Sequence, residues 1–306
     1  MQRKIIIDTD PGTDDAVAIL LAFAAPELDV LGLVAVAGNL PLAHTERNAR
    51  ALCELAGRPG VPVYAGCARP MGRSPVTAEH VHGASGLGDI TLPPPRIALR
   101  PQHGVDFLIE ALRAAGPGEI TLCALGPLTD IAMALVKAPD IAARIGSVVL
   151  MGGGDQPRST ISPVAEFNIH ADPYAAAVVF DSGVPVTMIP ADVTQQAVNT
   201  AERVDAVRAI GNACGAACAG LMARAPRGQL NPALHDPCVI AYLLEPELFE
   251  GSAVNVAVET GSALTMGMTV IDWRRVTGRQ PNATVIHKID VDGYYRLLTG
   301  RLAALP

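Results

Sequence analysis

The stretch IIIDTDPGTDD (residues 5–15) runs three isoleucines into four aspartates, Asp8, Asp10, Asp14 and Asp15, within eight positions. The β-branched run reads as a buried strand. The residues after it read as a tight turn into a helix, because DAVAILLAFAA (15–25) follows and Pro26 closes it. Carboxylates crowded this closely repel, and each raises the proton affinity of the others. A cluster of this kind at a strand end predicts something positive among the aspartates.

Outward from this stretch, apolar strand-like and helix-like runs alternate. LDVLGLVAVAG (28–38) reads as a strand, LAHTERNARALCELAG (42–57) as a helix and VPVYAG (61–66) as a strand. Helix-then-strand order repeats in GVDFLIEALRAAG to EITLCALG (104–126), IAARIG to SVVLMGGG (141–154) and PYAAAVVFDSG to VPVTMIP (173–190). Strands this apolar suit a parallel sheet covered by helices on both faces. The expectation is an α/β fold: one doubly wound domain over residues 1–306 with a mostly parallel central sheet. A helical segment is expected near 200–250, with a β-rich stretch after it. In open parallel sheets the ligand crevice lies beyond the carboxyl ends of the strands. Asp8, Asp10, Asn39, the LGPLTD loop and Asp192 all follow strands directly. Any one of them alone could be a helix cap.

Half of the 306 residues are hydrophobic, 17% are charged, and the net charge is −7. No Lys/Arg block appears, which argues against a nucleic-acid or anionic-membrane surface and leaves small molecules as partners. The N-terminus holds no signal-peptide apolar region and AVAILLAFAA is too short to span a bilayer, so a cytoplasmic protein is expected. Cys53, Cys67, Cys123, Cys214, Cys218 and Cys238 form no CxxC pair. Cys214 and Cys218 could share a helix face, but without further Cys or His nearby they read as reduced core residues.

Three or four carboxylates without a neighbouring Lys or Arg suit a hard divalent cation such as Ca²⁺. The EF-hand pattern fails, since Gly12 is misplaced and no Glu closes a twelve-residue loop. His235 and Asp236, in LHDP (234–237), precede a helical run. Asp236 is either a helix N-terminal charge or a distal metal ligand.

DTDPGTDDA (8–16), VAGN (36–39), VHGASGLG (81–88), LGPLTDIA (125–132), VVLMGGG (148–154), SPVAEFNIHADP (162–173), LHDP (234–237) and VETGSALTMGMTVIDW (258–273) stand in order over nearly the whole chain. Together they resemble the nucleoside hydrolases, the calcium-dependent N-ribohydrolases of the inosine/uridine-preferring type. The resemblance implies hydrolysis of the N-glycosidic bond of ribonucleosides by a calcium-bound water that Asp10 activates. It implies Ca²⁺ ligands Asp10, Asp15, Asp236 and the Leu125 carbonyl, with Asp8 behind the loop. Asp14, Asn39, Glu166 and Asn168 would hold the ribose, Met151 would line its pocket, and His235 and His82 would protonate the leaving base. Charge beside an oxocarbenium-like transition state is stabilising, which fits the acidic cluster. His44, His80, His103, His170 and His287 are taken as structural or surface residues.

The chain departs from the family pattern twice. Thr160 stands where an asparagine often reaches the ribose 5′-hydroxyl, and Asp130 stands where asparagine is common. The pair His82 and His235 favours pyrimidine or broad inosine/uridine specificity, and Trp273, the only tryptophan, is assigned a structural role. A homodimer or homotetramer is expected from the resemblance. Two other readings stand beside it. The strand-DxD start also occurs in aspartate-nucleophile phosphatases, although Thr13 lies three residues after Asp10 rather than two. A calcium-dependent riboside-binding protein without turnover would use the same ligands.

Overall fold

The computed structural model describes residues 2–156, 161–223 and 232–306. Its centre is strand β1 (Arg3–Thr9), whose three isoleucines are fully buried. Side chains alternate along a strand. Ile5 and Ile7 accordingly enter one hydrophobic core and Ile6 the other, one on each face of the sheet. The flanking strands are β2 (Leu28–Ala35), β3 (Val63–Ala65), β4 (Ile120–Ala124), β5 (Ile145–Met151) and β6 (Val186–Ile189), with β7 (Phe249–Val254), β8 (Val256–Val258), β9 (Thr269–Ile271) and β10 (Ala283–Ile289) following. Eight of them form one sheet in the order β3-β2-β1-β4-β5-β6-β10-β7, parallel except for the edge strand β7. β8 and β9 pair separately as an antiparallel ribbon.

The expected mostly parallel α/β sheet is therefore present, and its strand order decides where a site can form. From β1 the chain winds outward through β2 and β3, then returns to the other side of β1 at β4. The reversal opens a crevice at the carboxyl ends of β1 and β4. Asp8 pairs in register with Val34 and Ala124, so the three strand ends are level and their following loops converge.

Helix α1 (Thr13–Phe23), Ala213–Ala223, Pro237–Leu244 and Val291–Leu302 contribute to the core that holds Ile5 and Ile7. Gly104–Ala114, Thr129–Lys137 and Pro173–Phe180 cover the opposite face. Helices do occupy much of the 200–250 region. No described helix is long and apolar enough to cross a membrane.

Two elements differ from expectation. The run IAARIG is not a helix of its own: Pro139–Arg144 makes a 3₁₀ turn and Ile145 already starts β5. The α-helix of that unit lies earlier, at Thr129–Lys137, and stops at Pro139 because a residue before proline is pushed out of the helical region. The C-terminal stretch also ends in a helix, Val291–Leu302, N-capped by Asp290, whose carboxylate accepts the Gly293 N–H at 3.1 Å.

Candidate active site

β1 leads directly into Asp10 at the crevice, and α1 starts three residues later. Asp15, in the first turn of α1, folds back over the turn that precedes it. Its Oδ1 accepts the Thr9 hydroxyl at 2.6 Å and the Asp10 N–H at 3.2 Å, and its Oδ2 accepts the Gly12 N–H at 3.0 Å. Asn39, after β2, binds the same turn. Its backbone N–H donates to Asp10 Oδ2 at 2.6 Å, and its Nδ2 donates to the Asp10 carbonyl and to Asp15 Oδ2.

Asp10 is fully buried, yet its Oδ1 has no hydrogen-bond partner among the described residues. The carboxylate stands between two glycines. A Cβ at Gly126 would sit 2.5 Å from Oδ1, and one at Gly38 would sit 2.9 Å from Cγ. Asp236 arrives from the N-terminal end of helix Pro237–Leu244, and one oxygen each of Asp14, Asp15 and Asp236 lies within 4.8 Å of the other two.

Burial pushes Asp10 and Asp236 well above the usual carboxylate range, and the neighbouring aspartates push them further. Asp15 is raised for the same reasons, against the hydrogen bonds it accepts. Among the described residues no Lys or Arg pairs with this cluster. An all-oxygen donor set with an orphaned buried oxygen fits a hard divalent cation. The Leu125 carbonyl, at the end of β4, is held by the Asn168 amide, whose Nδ2 donates to it at 2.6 Å and to the Met151 carbonyl at 3.1 Å.

Asn168 lies in the short helix Phe167–Ala171, which Glu166 caps. The Glu166 carboxylate accepts the N–H groups of Gly153, Asn168 and Ile169, and burial still raises it to about 7. Met151 ends β5, with Sδ 3.8 Å from the same amide.

The two candidate proton donors both lie near Asp14. His82 Nδ1 accepts the Thr13 N–H at 3.1 Å and lies 3.9 Å from Asp14 Oδ1. A nitrogen that accepts a backbone N–H carries no proton of its own, so the neutral ring is protonated at Nε2. Burial holds His235 below the ordinary histidine value; Asp14 opposes that shift and His82 adds to it.

The structure thus brings Asp10, Asp14, Asp15, Asn39, His82, Leu125, Met151, Glu166, Asn168, His235 and Asp236 to one crevice. Thr160 lies outside the described residues. Asp8 turns away from Asp10 and towards Asp130. Both Asp8 oxygens lack a donor, and burial together with the Asp130 carboxyl pushes Asp8 well up. Asp130 Oδ1 also accepts the Cys67 N–H at 2.7 Å. Cys214 and Cys218 are buried free thiols with raised proton affinity, as expected of core residues. Trp273 is exposed, with its indole N–H on Asp155.

Sequence reasoning passed over Asn48 and Thr194. Asn48 Nδ2 ties the Pro11 carbonyl to that of Ser85, and so joins the aspartate turn to the His82 loop. No spacing pattern could have found it, because its partners are 37 residues away on either side.

Residues 5–296 match the family model described as inosine-uridine preferring nucleoside hydrolase. The chain belongs to that family. It is a ribonucleoside hydrolase, which closes the phosphatase and binding-protein readings. An uncharacterised protein of Schizosaccharomyces pombe is 46% identical to it, over 99% of this chain and all of that one. The pyrimidine-specific ribonucleoside hydrolase RihA of Shewanella sp. (strain MR-7) is 42% identical over 99% of this chain and 97% of its own. Among solved structures, the purine-preferring ribonucleoside hydrolase from Gardnerella vaginalis superposes with a TM-score of 0.90 at 32% identity, over 98% of both chains. A nucleoside hydrolase accounts for an acidic crevice that also carries two histidines: carboxylates suit a sugar that becomes cationic, and imidazoles suit a base that leaves.

Proposed function

We propose that this hydrolase prefers pyrimidine ribonucleosides and works with Ca²⁺ held by Asp10, Asp15, Asp236 and the Leu125 carbonyl, with Asp14 close enough to join them. The orphaned Oδ1 of buried Asp10 carries the reading, since nothing else described satisfies it. The cation, when bound, would offset the mutual repulsion of the carboxylates, orient the ribose 2′- and 3′-hydroxyls and make a water easier to deprotonate. Asp10 takes the proton of the attacking water as its oxygen bonds to C1′ and the C1′–N bond breaks. Asp14, Asn39, Glu166 and Asn168 hold the ribose, and Met151 closes the apolar side of its pocket. His235, with His82 beside it, gives a proton to the departing nitrogen, so free base and ribose result.

Pyrimidine preference is supported by the 42% identity to a pyrimidine-specific relative, by the two histidines and by the single tryptophan, which hydrogen-bonds Asp155. Residues 1–306 are read as one domain of a cytoplasmic homodimer or homotetramer. The deciding experiment follows base release from uridine, cytidine, inosine and guanosine before and after exhaustive chelation, with Ca²⁺ added back. Uridine and cytidine should lead, and activity should vanish and return with the metal. Full activity after chelation and desalting would remove the metal assignment, and a lead for inosine or guanosine would remove the base assignment.

A further inference from the structure

His235 is half-buried, and the charged groups facing it are Asp14 and His82. Its Nδ1 lies 2.7 Å from the hydroxyl of Thr194, the last residue of the one-turn helix Ala191–Thr194 that follows β6. Thr194 is wholly buried, so no bulk water competes for that hydroxyl. Its other partner is the Ala191 carbonyl at 3.5 Å, which already accepts the Gln195 N–H at 2.9 Å.

We propose that Thr194 is a positioning residue for catalysis: its hydroxyl fixes the His235 ring so that the donor nitrogen is always Nε2. The hydroxyl donates to the Ala191 carbonyl and accepts Nδ1–H along the short contact, so the Nδ1 proton stays in place before and after transfer. Nε2, which has no hydrogen-bond partner among the described residues, is then the nitrogen that carries the transferred proton and is left bare when that proton goes to the base. One buried hydroxyl thus makes a two-ended ring into a one-ended donor. Loss of an outer partner that orients a metal-ligating histidine typically costs about 10–100-fold, and an effect of the same order is expected for a histidine that must aim a proton.

The inference rests on His235 protonating the base, and the test separates the two claims. Thr194→Val, Thr194→Ser and His235→Ala are compared as Ca²⁺-loaded enzymes on uridine and on p-nitrophenyl riboside, whose leaving group needs no proton. Thr194→Val should lower kcat on uridine by about 10–100-fold while p-nitrophenyl riboside changes less than about threefold. Thr194→Ser should restore uridine hydrolysis, because the hydroxyl returns without the methyl. Equal losses of Thr194→Val on both substrates, or none on uridine, would overturn the role of Thr194 while His235→Ala remains selective for uridine. A His235→Ala variant equally impaired on both substrates would overturn the acid assignment, and the role of Thr194 with it.

Discussion

Replacing Gly38 by alanine tests whether Asp10 must stand where it does. Gly38 is not among the residues with positive φ, so alanine meets no backbone strain there. The side chain is the difficulty: its Cβ would lie 2.7 Å from Pro127 Cδ and 2.9 Å from Asp10 Cγ. Carbon atoms pack at about 3.5–4.0 Å, so a neighbour must give by about 1 Å. Pro127 is fixed in the turn between β4 and its helix, whereas the Asp10 carboxylate faces the bare Cα of Gly126 on its other side. The carboxylate therefore swings towards Gly126 and loses its 2.6 Å bond to the Asn39 N–H. A misplacement of about 1 Å can cost about 10²-fold in rate, which is about 2.7 kcal/mol. Overpacking adds a stability cost of about 1–3 kcal/mol. The assay is kcat/KM for uridine with a melting curve on the same sample. A loss near 10²-fold with a folded protein is expected. A variant within threefold of the parent would show that Asp10 tolerates displacement, and the argument from its glycine walls would fail.

Asp10→Asn should lower kcat by several orders of magnitude, each tenfold being about 1.4 kcal/mol, because it removes a ligand charge and the base together; a loss under tenfold would contradict both roles. In the metal-free protein Asp8, Asp10, Asp15, Asp236 and Glu166 all have raised folded-state values, so their contribution to stability is complete below about pH 4 and is lost as pH rises through those values. For Glu166, raised to about 7, that is about 3 kcal/mol lost between about pH 4.5 and just above 7. Chelated protein should therefore melt lower at pH 8 than at pH 5, with Ca²⁺ restoring the difference at pH 8; a flat profile would contradict the burial argument. Asp130→Asn should stabilise the metal-free protein at pH 7 by about 1–3 kcal/mol, since the amide gives Asp8 a donor while its oxygen keeps the Cys67 N–H. A lower melting temperature would refute that.

The sheet was legible because Ile5, Ile6 and Ile7 are β-branched and run straight into a turn, which suits a strand buried on both faces between two helical layers. Helix Val291–Leu302 was not. Its VDGYYRLLTGRL carries two glycines and two tyrosines, weak helix formers that read as turn and strand. Gly293 is required by packing, since a Cβ there would lie 2.6 Å from Asp290 Oδ2, the capping carboxylate itself. The acidic crevice was legible from carboxylates placed directly after strands. What the sequence could not carry was the direction of each side chain. Asp8 and Asp10 are two residues apart, yet one meets Asp130 and the other the crevice. Thr194 reaches His235 across 41 residues, a contact made by tertiary packing alone.

The amides of Asn39 and Asn168 both spend their N–H groups inward, on Asp10 and Asp15 in one case and on Leu125 and Met151 in the other. What each has left for a sugar is an oxygen. Asp14 and Glu166, the other proposed ribose contacts, offer only oxygens when ionised. Among the described residues, the proposed ribose contacts thus present mainly lone pairs, so a ribose docking there would chiefly give protons to them. Fluorine or methoxy in place of a ribose hydroxyl keeps much of its shape but sets lone pair against lone pair. Such nucleosides should bind far more weakly than their size implies, so the enzyme tells sugars apart by the polarity of the hydrogen bond before it measures their bulk.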